Sequence, residues 1–125
     1  EAYFRRYWKI IMENLISQKC EACRADAPRV TDDELPSLIN QIPDWQLITT
    51  DAVLQLSRTF SFVDYASAVN FTNSVADLAD SEDHHPAMLL EWGKVNVTWW
   101  THKIGGLHKN DFIAAAKTDL LFKDL

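Results

Sequence analysis

The sequence predicts an α+β domain, a four-stranded antiparallel sheet with helices packed on one face, in the order α-β-β-α-β-β-α. Three observations carry that prediction. Two segments alternate apolar and polar residues with the period of a half-buried strand, each beside a short apolar partner across a turn. Between and after these hairpins, apolar residues recur at helical spacing. The chain has 125 residues and a net charge of −6, a length that suits one domain with its own core.

Thr31-Asp32-Asp33-Glu34 has the spacing of a capping box, and Leu35, Leu38, Ile39 and Ile42 follow at helical intervals. Pro36 sits close to that start, so the helix is expected to begin later than the box. Pro43-Asp44 stops it. Trp45 to Thr50 reads as a short strand, and Thr50-Asp51 as a turn. In Val53 to Phe62, Leu54, Leu56, Phe60 and Phe62 share one parity while Gln55, Ser57 and Thr59 share the other. Asp64 caps a long helix ending near Asp80, with Tyr65, Ala68, Val69, Thr72, Val75, Ala76 and Ala79 as its inner stripe. Met88 to Trp92 and Lys94 to Thr101 form a second hairpin turning at Gly93. Gly105-Gly106 breaks the chain. A last helix runs from about Lys109 to Phe122, burying Phe112, Ile113, Ala116 and Leu120.

Composition removes several function classes. No apolar run approaches the ~20 residues of a membrane span. An anionic surface repels phosphate backbones, so nucleic acid is not an expected partner. Cys20 and Cys23 are too few for a disulfide framework, which points to the cytoplasm. Cys20-x-x-Cys23 is half of a zinc site or a redox pair, and nothing nearby completes it. Glu1 to Ile11 mixes aromatics with Arg5, Arg6 and Lys9 and lacks the apolar core of a secretory signal. Residues 1–19 are read as an extension, flexible or appended, with Met12 a candidate start, and 20–125 as the domain. The sheet's free edge and open face call for cover by a second copy. A dimer through sheet edges is expected, with a tetramer through helices as the alternative.

The candidate chemistry lies in Asp80-x-x-Asp83-His84-His85-Pro86. Two adjacent histidines on a loop are poor core filler, and Pro86 biases His85 toward extended backbone. His102 follows the fourth strand, the hairpin partner of the strand that begins after Pro86. Pairing across Gly93 sets Met88 opposite Val97 or Thr98, which places His84 and His102 at the open end of the hairpin. Three imidazoles with Asp80 or Asp83 beside them suit acid–base catalysis at neutral pH. They equally suit a metal, and solvated surface histidines would give the same pattern. Asp111, three residues after His108, reads as structural, an acid at a helix start that completes a capping box. His108 reads as a surface cap residue. Trp45 and Trp92 are candidate aromatic walls for a flat ligand, with the core as the competing place for each.

Taken whole, Asp80-x3-His84-His85-Pro86-x5-Trp92-x9-His102-x8-Asp111 resembles the pterin-4a-carbinolamine dehydratases. Trp45, Phe60-x-Phe62, Lys94-Val95, Thr101-His102 and Gly106-Leu107 are also similar to that family. The likeness runs from about Asp32 to Leu121, and the Cys20 to Pro28 and Glu91 to Val95 segments resemble its bacterial members. The resemblance implies a hydro-lyase that expels water from 4a-hydroxytetrahydrobiopterin. The product is quinonoid dihydropterin, which returns the cofactor of aromatic amino-acid hydroxylases to use. It implies His84, His85 and His102 as catalytic histidines, and we expect His84 and His102 to be the proton-transfer pair, with His85 binding substrate or sharing the acid role. Asp80, Asp83, Trp45, Trp92 and Thr101 are implied to line the substrate site, and Pro86 and Asp111 to be structural parts of the motif. Asp80 is shorter than the glutamate also expected there. Trp100 replaces the small polar residue of some relatives, which narrows the pocket rim. No metal or organic cofactor is expected, since pterin is the substrate. Relatives also imply alternatives: a protein-interaction module that partners a transcription factor, a link to phenylalanine hydroxylase, or a role in molybdopterin metabolism.

Overall fold

A computed structural model describes residues 15–18 and 28–125. Helix α1 (Leu35–Asn40) leads into strands β1 (Gln46–Thr50) and β2 (Val53–Ser61). Helix α2 (Tyr65–Glu82) follows, then β3 (Ala87–Glu91), β4 (Lys94–Trp99), a 3-10 turn (His102–Ile104) and helix α3 (Lys109–Lys123). The strands form one antiparallel sheet in the order β1-β2-β4-β3. This is the predicted α+β architecture.

The core lies between the helices and one sheet face. Leu56 and Phe60 of β2 and Val95, Val97 and Trp99 of β4 point into it, as their parity requires. Phe71 of α2 meets Phe60 with ring centroids 4.7 Å apart, and Phe122 of α3 meets it at 5.0 Å. The buried stripe of α2 is Ala68, Phe71, Val75 and Ala79. Tyr65 and Ala76, expected inside, are exposed, because Phe71 centres the stripe on this aromatic cluster. Every residue of α3 from Asn110 to Ala116 is buried, whereas Leu120 is only half-buried. Leu15, within the stretch read as an extension, is buried in the same core. The Cys20–Cys23 pair and the Met12 start lie outside the described residues.

At the centre of the other sheet face, polar side chains of β2 and β4 satisfy one another. Asn96 Nδ2 donates to Ser57 and Thr59, and the Thr98 hydroxyl donates to Asn96 Oδ1. This is why Ser57 and Thr98 are buried although their parity predicts exposure.

Local signals set the boundaries. The Thr31–Glu34 box forms, and its hydrogen bonds from Thr31 hold the Glu34 carboxyl below the ordinary range. The helix itself begins at Leu35, as Pro36 requires. Asp64 caps α2, and its carboxyl is likewise lowered by hydrogen bonds from Ser67. The β1–β2 turn is one residue later than expected, at Asp51-Ala52, both with positive φ. That geometry matches the right-handed twist of a two-residue hairpin. Gly93 is required by a close approach: a Cβ there would stand 3.0 Å from the Phe62 carbonyl oxygen.

A half-buried polar cluster ties α3 to the sheet far from the histidines. Trp45 Nε1 donates to Asp119 Oδ1 at 2.8 Å, and Arg58 Nη1 reaches the same oxygen at 2.5 Å. Arg58 also lies 4.3 Å over the Phe60 ring. Burial pushes the Asp119 carboxyl above the ordinary range despite these two donors.

Candidate active site

The histidine loop is shaped by the end of α2. Asp83 adopts the left-handed conformation at φ 49°, and the His84 N–H returns to the Ala79 carbonyl at 3.1 Å. This closes the helix and turns the chain toward β3. Pairing of Ala87 with Thr98, and of Met88 with Val97, then aligns the loop with the end of β4. His84 and His102 therefore flank the open end of the β3–β4 hairpin.

The two histidines of the pair have opposite surroundings. His84 is 3% exposed, and its Nε2 lies 2.7 Å from Asp111 Oδ1. Its ring stacks on Trp99 at 5.3 Å between centroids, 21° from parallel. The Trp99 Nε1–H in turn donates to the Thr118 hydroxyl. Asp111 is wholly buried and its second oxygen accepts the Thr101 hydroxyl at 2.8 Å and the His108 N–H at 2.9 Å. Three buried contacts on one carboxyl group fix its plane. The contact with His84 turns the ring so that Nε2 faces Asp111. His85 is exposed, with Nε2 3.0 Å from Asp80 Oδ1. The shorter carboxylate of Asp80 thus reaches the neighbouring histidine. His102 is also exposed, and its ring lies 4.3 Å from that of Trp100.

Other expected residues fall in different places. Thr101 is 1% exposed and serves Asp111. Asp83 shapes the loop through its backbone. Trp45 is buried in the core. Trp92 is 69% exposed in the turn between Glu91 and Lys94. That turn is the closed end of the hairpin, about 17 Å from the histidine end at ~3.4 Å per residue over five residues. His108 caps α3, accepting the Asn110 N–H, and with Asp111 completes the box. It is buried, however, because the Pro28–Val30 segment covers this helix start, with Val30 N–H on Leu107 O. Among the described residues, no group of three or more His, Cys, Asp or Glu side chains is placed to hold a metal ion. Nor is any described helix long and apolar enough to cross a membrane.

The sequence reading missed the Asp111–His84 contact. Asp111 was visible as a cap, and the capping box is real, but its second task joins residues 27 apart. Trp99 was visible only as a core strand residue.

Comparison with known proteins bears on this geometry. The family model for pterin 4 alpha carbinolamine dehydratases matches residues 28–121. The chain belongs to that family. A Marinobacter nauticus protein provisionally named pterin-4-alpha-carbinolamine dehydratase is 61% identical over 111 residues, covering 89% of this chain and all of that protein. The crystal structure of a transcriptional coactivator/pterin dehydratase from Brucella melitensis matches with a TM-score of 0.68 and 29% identity. It covers 75% of this dehydratase-family chain and 98% of its own. A pterin dehydratase-like protein identified as a RuBisCO assembly factor in the alpha-carboxysome shares the fold at a TM-score of 0.53 and 23% identity. That match covers 62% of this chain and 88% of the other.

Proposed function

We propose that this chain dehydrates a 4a-hydroxytetrahydropterin to a quinonoid dihydropterin and water, returning the cofactor of an aromatic amino-acid hydroxylase to use. The observation that carries the reading is the buried His84–Asp111 pair within the family motif. Hydroxide is a poor leaving group, so an imidazolium must protonate the C4a oxygen as the C–O bond breaks. The electron pair comes from N5 as its proton leaves to a neutral imidazole. Oxidation state is unchanged and no metal or organic cofactor is needed. His84, held against Asp111, is the first proton carrier. His102, whose ring is set against Trp100, is the second proton carrier. His85, paired with Asp80, contacts the substrate.

A dimer formed through the β3 edge belongs to this reading. Antiparallel pairing of two β3 strands would bring each copy's exposed Trp92 toward the other copy's histidine loop, which gives that side chain a place as an aromatic wall. Light scattering coupled to size exclusion tests the dimer.

The test of the activity is water loss from freshly generated 4a-hydroxytetrahydropterin, followed by absorbance with catalytic amounts of protein. Acceleration supports the reading, and none from the folded protein overturns it. A second reading, an interaction module, is favoured by the coactivator in the name of the Brucella melitensis protein. Partner capture that depends on α3 and ignores His84 would support it.

A further inference from the structure

The helix that holds the His84 ring also holds the chain just before it. Glu82 is the last residue of α2, and its carboxylate forms an ion pair with Lys117 of α3. The Lys117 and Glu82 side chains are only 15% and 11% exposed. A pair so withdrawn from water differs from a surface bridge, because its charges are less screened by solvent and salt. Lys117 follows Asp111 by six residues, so the two anchors lie about 9 Å apart along the helix axis. Between the anchored Glu82 and the anchored His84 stands Asp83 in its left-handed conformation. A non-glycine residue keeps that conformation when its surroundings over-determine it. Thr118, next to Lys117, fixes Trp99, the plane on which His84 lies.

We propose that Glu82 and Lys117 are positioning residues for His84. They pin the end of α2 so that the imidazole meets Asp111 and Trp99 in one orientation, which rests on the dehydratase reading above. The pair touches neither substrate nor reacting atoms. It acts by setting where the His84 ring stands, and misplacement by about 1 Å is enough to slow chemistry by up to ~100-fold.

The experiment compares the full-length protein with its Lys117→Met, Lys117→Arg and Glu82→Gln variants. It reads kcat and KM for dehydration and, by NMR, solvent exchange of the His84 ring N–H proton. Lys117→Met is expected to lower kcat by about 10- to 100-fold with KM changed by no more than about 2-fold, and to speed the proton exchange. Lys117→Arg restores both. Glu82→Gln moves both in the same direction by less, and it decides the question if Lys117→Met does not fold. Wild-type kcat and wild-type exchange in a folded Lys117→Met or Glu82→Gln protein would overturn the proposal. If the wild type shows no dehydration, the activity reading fails, and the proton exchange alone decides the clamp.

Discussion

His84 and His102 lie at the same end of one hairpin, yet the protein treats them differently. His84 is buried, bonded to a buried carboxylate, and stacked on an indole that is itself hydrogen-bonded. His102 is exposed and touches one aromatic ring. The difference teaches that one imidazole is part of the core as well as the site, while the other belongs to the surface. Substitution should therefore cost stability and rate at His84, and rate alone at His102.

The largest effect is expected one step behind His84. Asp111→Ala removes the acceptor for a histidine, a hydroxyl and a backbone N–H, all buried. Leaving buried polar groups without their partner costs about 1–3 kcal/mol each, so thermal denaturation should show a fall in Tm of tens of degrees or failure to fold. A fall of only a few degrees would mean that Asp111 does not organise this region.

Substitution of the two histidines sharpens the contrast. His84→Ala should lose about 1–3 kcal/mol of stability, read by denaturant unfolding. His102→Ala should stay within about 0.5 kcal/mol of wild type. Equal losses would break the distinction between them.

Asp119 supplies a half-buried carboxyl group bonded to Trp45 and Arg58. Its native pKa is raised by burial, so the folded state binds its proton more tightly than the unfolded state does. The stability this gives is fully present below the ordinary value of 3.8 and is lost as pH rises through the raised native value. Glu34 and Asp64, whose values are lowered, act in the opposite sense: their contribution is present above 4.5 and 3.8 and is lost as pH falls through the native values. In Asp119→Asn, stability should no longer fall with pH across the Asp119 window. Asp119→Ala should be the less stable of the two variants by about 1–3 kcal/mol, since the Trp45 N–H loses its acceptor. Urea titrations at several pH values read both effects.

The smallest effect is expected at Asp80. Its contact with His85 is exposed on both sides, so Asp80→Ala should leave Tm within a degree or two while raising KM. A large stability loss would place this pair with His84 rather than with His102.

The sequence made the sheet legible because alternation and turns are local. Val95, Val97 and Trp99 show their burial in their own spacing, and Met88 stands opposite Val97 because the turn at Gly93 sets the register. The stripe of α2 was harder: Phe71 faces inward because of aromatic partners on β2 and α3 that no local pattern announces. The site was legible as a motif, with its histidines at one hairpin end. Its energetic arrangement was not. Asp111 reads as a cap from its own neighbours, and only the path of α3 past the histidine loop shows its bond to His84. The Glu82–Lys117 pair spans 35 residues and has no signature in either segment. The burial of His108 depends on a distant segment lying over α3.

The most direct test is stopped-flow absorbance of freshly made 4a-hydroxytetrahydropterin with wild type, His84→Ala and His102→Ala. Wild type should accelerate water loss, and each folded variant should be slower by about 10²- to 10⁴-fold. Undiminished dehydration by both folded variants would contradict the assignment of proton transfer to these two rings.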